Sequence, residues 1–565
     1  MDLHRALLAF VLSIAILLGY QYFFVKPAVE HQQAQTGQTA SAPTGETAGQ
    51  PAPPAQAGKP AAAAPVAPTP LAKAVAVNPE ARDITIDTPL YTAVISEQGG
   101  GFKSFVLKRY RQKLDRDSDP MQLVQTRNPV ELPLLFTLDN GAAAQLPLYR
   151  ADTTALTLKG SGDTATLRMA ATLPSGLRIT RTLEFNGANY MVKNSYRVEN
   201  SGSAPAQITP AMVLTNEPFE KNAASGGVSR YLFSGPAAYI DASLTQVKGK
   251  ALKEGPKVMQ GIVTWAAYED NYFICAVIPR PPVRRTVTIR AEGERVRTVV
   301  SDPVVTLAPQ DAREFGYNAY FGPKKLAILK AVDHELAKAV NFGWFDVIAK
   351  PMLWLLNFFY SFVHNYGVAI IMVTILIKAA FWHITSKGMK SMKNMQKLQP
   401  KVAKLKEKYK DDPARMNQEM MALYKTYKVN PVGGCLPMII QIPFFFALYR
   451  VLMSAIELRH APFMLWINDL SAPDRLMIGF DIPYIHGIPV LTLLIGASMY
   501  LQQKMTPTTA DPTQAKIMQF LPILFTFMFL NFASGLVLYW LVNNLLSILQ
   551  QQLINRQVKA ASEAS

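Results

Sequence analysis

Cysteine is nearly missing from this chain of 565 residues, which has only Cys275 and Cys435. One falls in an alternating, strand-like stretch and the other at the start of an apolar run, so no disulfide is expected. The seven histidines are scattered, and no His/Cys cluster has metal-ligand spacing. Charge is scarce: 17% of residues are charged against 49% hydrophobic, too apolar a balance for an ordinary soluble chain of this size. Acids are scarcer than bases, 40 against 57, leaving a net charge of +17. A basic chain usually faces phosphate, and apolar blocks beside the basic ones favour lipid headgroups. Ribosomal RNA stays open as a second anionic partner, and DNA is not expected. Also missing are a phosphate loop, a dinucleotide fingerprint, an HExxH motif and a nucleophile elbow. The glycines at 99–101 are not followed by the helix start that such a loop requires. These absences disfavour an ATP-driven pump and leave no sign of an enzyme, a cofactor or a metal.

What the chain does have is apolar runs in blocks. The first, from about Leu7 to Phe24, follows His4 and Arg5 and ends in Tyr20-Gln21-Tyr22-Phe23-Phe24. No small-residue cleavage site comes directly after it, so residues 1–26 read as an uncleaved anchor rather than a removed signal. Residues 27–82, rich in Pro, Ala, Gly and Gln, read as a flexible tether. Residues 83–335 alternate, as in Ile84-Thr85-Ile86, Arg178-Ile179-Thr180-Arg181-Thr182-Leu183 and Thr286-Val287-Thr288-Ile289-Arg290. Period-two runs broken by Gly, Asn, Asp and Pro indicate an antiparallel β-sandwich. Apolar runs then return at Val363–Trp382, Leu436–Met453, Ile488–Leu501, Ile517–Phe532 and Leu536–Leu549, making six spans with the anchor. Phe345–Phe362 has helical apolar spacing interrupted by Asp346, Lys350 and Asn357. Residues 336–362 are therefore expected to form an amphipathic interfacial helix.

Loop charge orients the spans. Residues 386–430 hold twelve Lys and Arg against Glu407, Asp411, Asp412 and Glu419, whereas 454–485 hold Arg459 and Arg475 against four acids. The first loop is thus cytoplasmic and the second periplasmic. Both termini then lie in the cytoplasm and the β-domain outside. The span sequence 363–556 forms the core, and 557–565 a short cytoplasmic tail. Three spans look short: Ile517–Leu549 must cross twice with roughly 16 residues per crossing where about 20 are normal. Short spans are expected to thin the bilayer.

Lys378 stands out, set among Ile375, Leu376, Ile377, Ala379 and Ala380. A charge at mid-span costs about 2.5–3.5 kcal/mol and is usually functional. The plainer alternative is snorkelling, since His383 is only about 7 Å further along the helix and Lys387 about 14 Å. Thr374 lies one turn earlier on the same face. Tyr539, Asn543 and Ser547 form a polar stripe at i, i+4, i+8. Gln441 lies in the third span, and Gln519 and Asn531 in the fifth. Each alone reads as an interhelical hydrogen bonder; together with Lys378 they suggest a wet cavity. The loop at 386–430 reads as a helical hairpin. One stripe is Met389, Met392, Leu398, Val402, Leu405 and Tyr409, and the other Met416, Met420, Leu423 and Tyr427. Such stripes either pack on each other or, being rich in methionine, offer adaptable contacts to varied apolar clients.

Asn430-Pro431-Val432-Gly433-Gly434-Cys435-Leu436-Pro437, Gln441-Ile442-Pro443 and Ala447-Leu448-Tyr449 closely resemble the YidC insertase family. So do Gln418-Glu419-Met420-Met421-Ala422-Leu423-Tyr424-Lys425, Pro507-Thr508-Thr509 and Ser534-Gly535-Leu536-Val537-Leu538-Tyr539. That family includes the mitochondrial oxidase-assembly and chloroplast insertases. The likeness covers about 345–556, and the anchor, tether and β-domain match its Gram-negative layout. The resemblance implies a multi-pass protein of the inner membrane with a hydrophilic groove open to cytoplasm and lipid. It places the groove's positive residue at Lys378, where many relatives have Arg; Lys keeps the charge without the planar fork. Thr374 matches a groove position, and the aromatic after Tyr539 is Trp540 rather than the common Tyr. The basic tail with which some relatives hold ribosomes is reduced to Arg556 and Lys559. Implied partners are nascent inner-membrane proteins and the Sec translocon, with chaperone-like help in folding.

Two other classes compete. A secondary transporter should show internal repeats with broken helices in corresponding halves, and none is visible. A periplasmic scaffold would put the work in the β-domain rather than in the helical core.

Overall fold

The computed structural model describes residues 77–115, 117–126, 128–218, 233–410, 412–427, 436–479, 486–505 and 512–563. The expected anchor, the tether up to residue 76, Cys435, the motif at 430–435 and Pro507-Thr508-Thr509 fall outside them. The described residues from 77 to 507 and from 521 onward form one compact unit, and the contacts given below lie within it.

The alternating segments are strands. Ile84–Ile86 lies in Asp83–Asp87, Arg178–Leu183 in Leu177–Asn186, and Thr286–Arg290 in Arg284–Glu292. In Leu177–Asn186 every second residue from Leu177 to Phe185 is buried, as the two-residue repeat of a strand requires. Ala211–Asn216 and Gly235–Ile240 are buried throughout, because both faces of those strands are covered. The strands form a five-stranded and a thirteen-stranded sheet, with one further pair. Phe102 and Phe105 of the smaller sheet meet Phe321 of the larger at ring distances of 5.7 and 5.3 Å. The sheets are not wholly antiparallel as expected: Asp83–Asp87 pairs in parallel with Ala155–Thr157. The long excursion between those two strands supplies the crossover that a parallel pair needs. Gly99 and Gly100 have φ of +76° and +74°. They turn the chain between Tyr91–Ser96 and Phe102–Arg111. A Cβ on Gly101 would stand 2.5 Å from that of Leu132. These glycines therefore serve a tight turn. Cys275 is a free, buried thiol.

Nine longer helices follow among the described residues: α1 (Asp346–Val363), α2 (Tyr366–Ala380), α3 (Trp382–Lys397), α4 (Gln399–Lys408), α5 (Pro413–Thr426), α6 (Leu436–Ser454), α7 (Val490–Met505), α8 (Pro512–Phe529) and α9 (Ser534–Glu563). The helix expected over 336–362 starts only at Asp346, after two short 3-10 turns. Its polar residues Asp346, Lys350 and Asn357 fall within about 40° of one another around the axis at 3.6 residues per turn, so it has the amphipathic character expected of it. Ala349, Leu353 and Leu356 are buried, while Val347, Trp354, Phe358 and Phe362 are exposed. Its polar groups are occupied: Lys350 pairs with Asp346 at 2.5 Å, and Asn357 accepts from the Tyr366 hydroxyl at 3.0 Å.

The span expected at Val363–Trp382 is broken. α2 ends at Ala380, and α3 leaves at 64° to it. Among the described residues no single helix is long and apolar enough to cross a membrane, and this bent pair meets the length and composition together. The last short span is part of a 30-residue helix, about 45 Å long at 1.5 Å per residue. Shortness there is a matter of apolar content, since Gln550-Gln551-Gln552 interrupts it. The expected hairpin at 386–430 comprises three helices. Asp412 caps α5 by accepting from Arg415 N at 3.0 Å.

The β-domain meets the helices at the loop after α6. The Asn271 amide donates to Met453 O at 2.9 Å. The Arg459 guanidinium donates to Arg111 O at 2.7 Å and Gln112 O at 3.1 Å, and lies 5.4 Å from the centre of the Phe273 ring. One continuous apolar core runs from the sheets into the bundle.

Candidate functional site

Lys378 sits on the last turn of α2, half-buried among apolar neighbours. Its ammonium donates to the Ser547 hydroxyl of α9 at 2.8 Å, and that hydroxyl donates to Asn543 O at 2.8 Å. The Asn543 side-chain oxygen accepts from the Gln441 amide of α6 at 3.0 Å, and Gln441 also bonds the side chain of Tyr539. The structure thus joins Lys378, Ser547, Asn543, Gln441 and Tyr539 into one chain of polar contacts across α2, α9 and α6. The three-helix meeting follows from the stripe at 539, 543 and 547, which one face of a helix presents one turn apart. Among the described residues Lys378 forms no ion pair. An ammonium has three donors, and Ser547 takes one.

Thr374 and Trp540 stand differently. Thr374 is buried and its hydroxyl donates to Ile370 O at 2.7 Å, so it serves its own helix. Trp540 packs edge-on against Phe445 with ring centres 4.8 Å apart, and Phe529 lies 4.9 Å away. It closes one flank of the polar chain with aromatic surface. Asn531, grouped with the polar span residues from sequence, instead accepts from Arg475 at 3.3 Å at the loop end of α8.

Sequence reading missed the continuation of the stripe. Asn544 donates to Ser498 of α7 at 3.3 Å. Gln550, fully buried, donates to Thr385 and Ser386 of α3 at 2.7 and 3.0 Å. The run Ser547…Gln550…Ile554 continues the same helical spacing, and extending the stripe past Leu549 would have found Gln550. Of the hairpin methionines, Met389, Met392, Met416 and Met420 are half-buried, and the neighbouring Met421 is 60% exposed. The lysines around them, Lys401, Lys404, Lys406 and Lys408, face outward. Lys401 stands 4.3 Å from the centre of the Tyr427 ring, tying α4 to the end of α5.

Residues 358–562 match the 60Kd inner membrane protein family, and residues 83–355 match the YidC periplasmic domain. The membrane protein insertase YidC of Syntrophus aciditrophicus is 42% identical over 563 residues, covering 98% of this chain and 99% of its own. That of Geobacter metallireducens is 41% identical over 572 residues, covering 99% of each. A crystal structure of an active YidC insertase with its first transmembrane domain resolved is 18% identical, covering 85% of this chain and 93% of its own at a TM-score of 0.35. Two family matches that together span both parts of the molecule, and relatives alike along its full length, place this chain in the YidC family of inner-membrane protein insertases.

Proposed function

We propose that the polar chain centred on Lys378 is the groove through which this insertase moves segments of nascent proteins into the inner membrane. The observation that carries the reading is an ammonium held at 2.8 Å by a hydroxyl, with donors to spare, at one end of a chain of polar contacts inside the helical bundle. A bare charge there is costly, and the cost is offset when an acidic or polar client flank enters. The apolar part of the client slides into lipid, driven by burial at roughly 25 cal/mol per Å². No covalent step is needed, in keeping with a family of insertases rather than catalytic enzymes, and no cofactor is invoked. Tyr539, Asn543 and Gln441 keep the groove wet. Thr374 backs Lys378 from within α2, and Trp540 bounds the groove on its aromatic flank.

In this reading the chain crosses the membrane six times, with both termini in the cytoplasm and the β-domain in the periplasm. The exposed Trp354, Phe358 and Phe362 of α1 lie in the periplasmic interface, where aromatic rings are favoured. Met389, Met392, Met416 and Met420 receive clients, and the lysines beside them face anionic lipid and the ribosome. In the same reading the Sec translocon is a partner.

The test is insertion of an acidic-tailed client into proteoliposomes, read by protease protection, for Lys378→Ala and Lys378→Arg. The alanine variant should lose about tenfold, the worth of one charge-assisted contact, and the arginine variant should retain activity. Full insertion by the alanine variant would remove Lys378 from the mechanism.

A further inference from the structure

The break between α2 and α3 is held from outside. Sharp helix bends have identifiable local causes, and at this one the backbone bonds Phe381 N to Ile377 O at 3.1 Å and Thr385 N to Phe381 O at 3.0 Å are kept, so side chains decide its direction. Here the bend of 64° centres on Phe381. The Thr385 hydroxyl donates to Phe381 O at 2.9 Å, with Trp382 O at 3.1 Å. The Gln550 amide reaches Thr385 Oγ1 at 2.7 Å, Ser386 Oγ at 3.0 Å and Trp382 O at 3.3 Å. The two N–H donors of one buried side chain of α9 are therefore directed at the Thr385 and Ser386 hydroxyls, with Trp382 O further off at 3.3 Å. Gln550 is 1% exposed and Thr385 6%, so water does not substitute for these bonds, and a buried donor left unmade is costly. Further along, Lys393 donates to the Asn555 side chain at 2.9 Å. On the near side of the bend, Lys378 holds Ser547. α9 thus grips the α2–α3 segment before, at and after the elbow, through Ser547, Gln550 and Asn555.

We propose that Gln550 is a positioning residue: by fixing the elbow it keeps Lys378 on the polar face of α9 and sets the direction in which α3 carries Met389 and Met392. Without its amide, α3 is free to straighten onto the axis of α2. The Lys378 ammonium, less than one turn before the bend, then rotates away from Ser547. The inference rests on the groove reading but concerns a different group and a different readout.

Gln550→Met keeps length and volume while removing both donors. The full chain, with Cys275→Ser and Cys435→Ser and nitroxides at Lys390 and Leu553, is reconstituted in nanodiscs, and the interlabel distance distribution is measured by pulsed electron resonance. The expected result is a distribution about twofold broader than in the parent and a roughly fivefold loss of acidic-tailed client insertion, the effect of losing one buried hydrogen bond. Thr385→Val removes the hydroxyl link in the same elbow and should shift both readouts in the same direction; it is decisive if Gln550→Met does not accumulate. An unchanged distribution overturns the inference, and so does a broadened one with full insertion. Run beside these, Lys378→Ala tests the groove separately: its full activity would discard the groove while leaving the elbow measurement standing.

Discussion

Buried ionic groups in the β-domain are held by specific partners, and their removal has a calculable direction. Arg285 and Asp302 are both nearly inaccessible and pair at 2.8 Å, with the Tyr317 hydroxyl also donating to Asp302. Asp302→Ala strands a buried guanidinium and should destabilise the protein by about 3–5 kcal/mol, measured by chemical unfolding of the purified chain. Glu97 is similar. Burial by itself would raise its pKa, but hydrogen bonds from Arg82 and from backbone N–H groups of Ala151 and Arg82 bring it from 4.5 to about 2. A carboxylate depressed in the folded state stabilises above its ordinary pKa, and the gain fades as pH falls toward the folded value. The melting temperature should therefore fall between pH 4.5 and 2, and Glu97→Gln should flatten that slope; an unchanged slope would show that Glu97 is not the group responsible. None of these partners is adjacent in sequence: Arg285 finds Asp302 only because the strands Arg284–Glu292 and Arg295–Ser301 pair.

At the scale of elements, close approach is set by small residues. A Cβ on Gly367 would stand 2.0 Å from the Phe463 ring, which seats the loop after α6 on the start of α2. Asn365 fixes the same corner by donating to Phe463 O at 2.8 Å while its side chain accepts from Val368 N. A Cβ on Gly496 of α7 would stand 2.3 Å from Thr526 Oγ1 of α8, the small-residue contact that lets helices approach in a membrane. Gly367→Val should cost about 1–3 kcal/mol through overpacking, seen as a lowered melting temperature in detergent; an unshifted transition would mean the corner relaxes freely. Helix existence was legible from periodicity, but the interruption of α2 at Phe381 was not. Nothing in Ala379-Ala380-Phe381-Trp382 is a breaker, and the contacts of Gln550, about 170 residues away, with Trp382 O and the Thr385 and Ser386 hydroxyls are visible only in the folded chain. The amphipathic spacing of α1 was legible in the sequence, because Asp346, Lys350 and Asn357 recur on one helical face; their partners, Lys350 with Asp346 and Asn357 with Tyr366, came from the structure.

For the molecule as a whole, the residues proposed to line the groove lie on α2, α6 and α9, and the β-domain touches the bundle through the Arg459 and Asn271 contacts. Deleting residues 90–330 should leave much of the insertion activity, measured on the same client; loss of it would move the work to the β-domain. The amino-acid order alone settled the division into an alternating part and an apolar part, the candidacy of Lys378, and the stripe at 539, 543 and 547, because periodicity and the cost of an intramembrane charge are local properties of the chain. Only the tertiary structure decided that Ser547 is the partner of Lys378, that Gln441 joins Asn543, that Thr374 turns to its own backbone, and that the path bends at Phe381. Those outcomes depend on which helix faces meet, and that is fixed by packing among segments far apart in sequence.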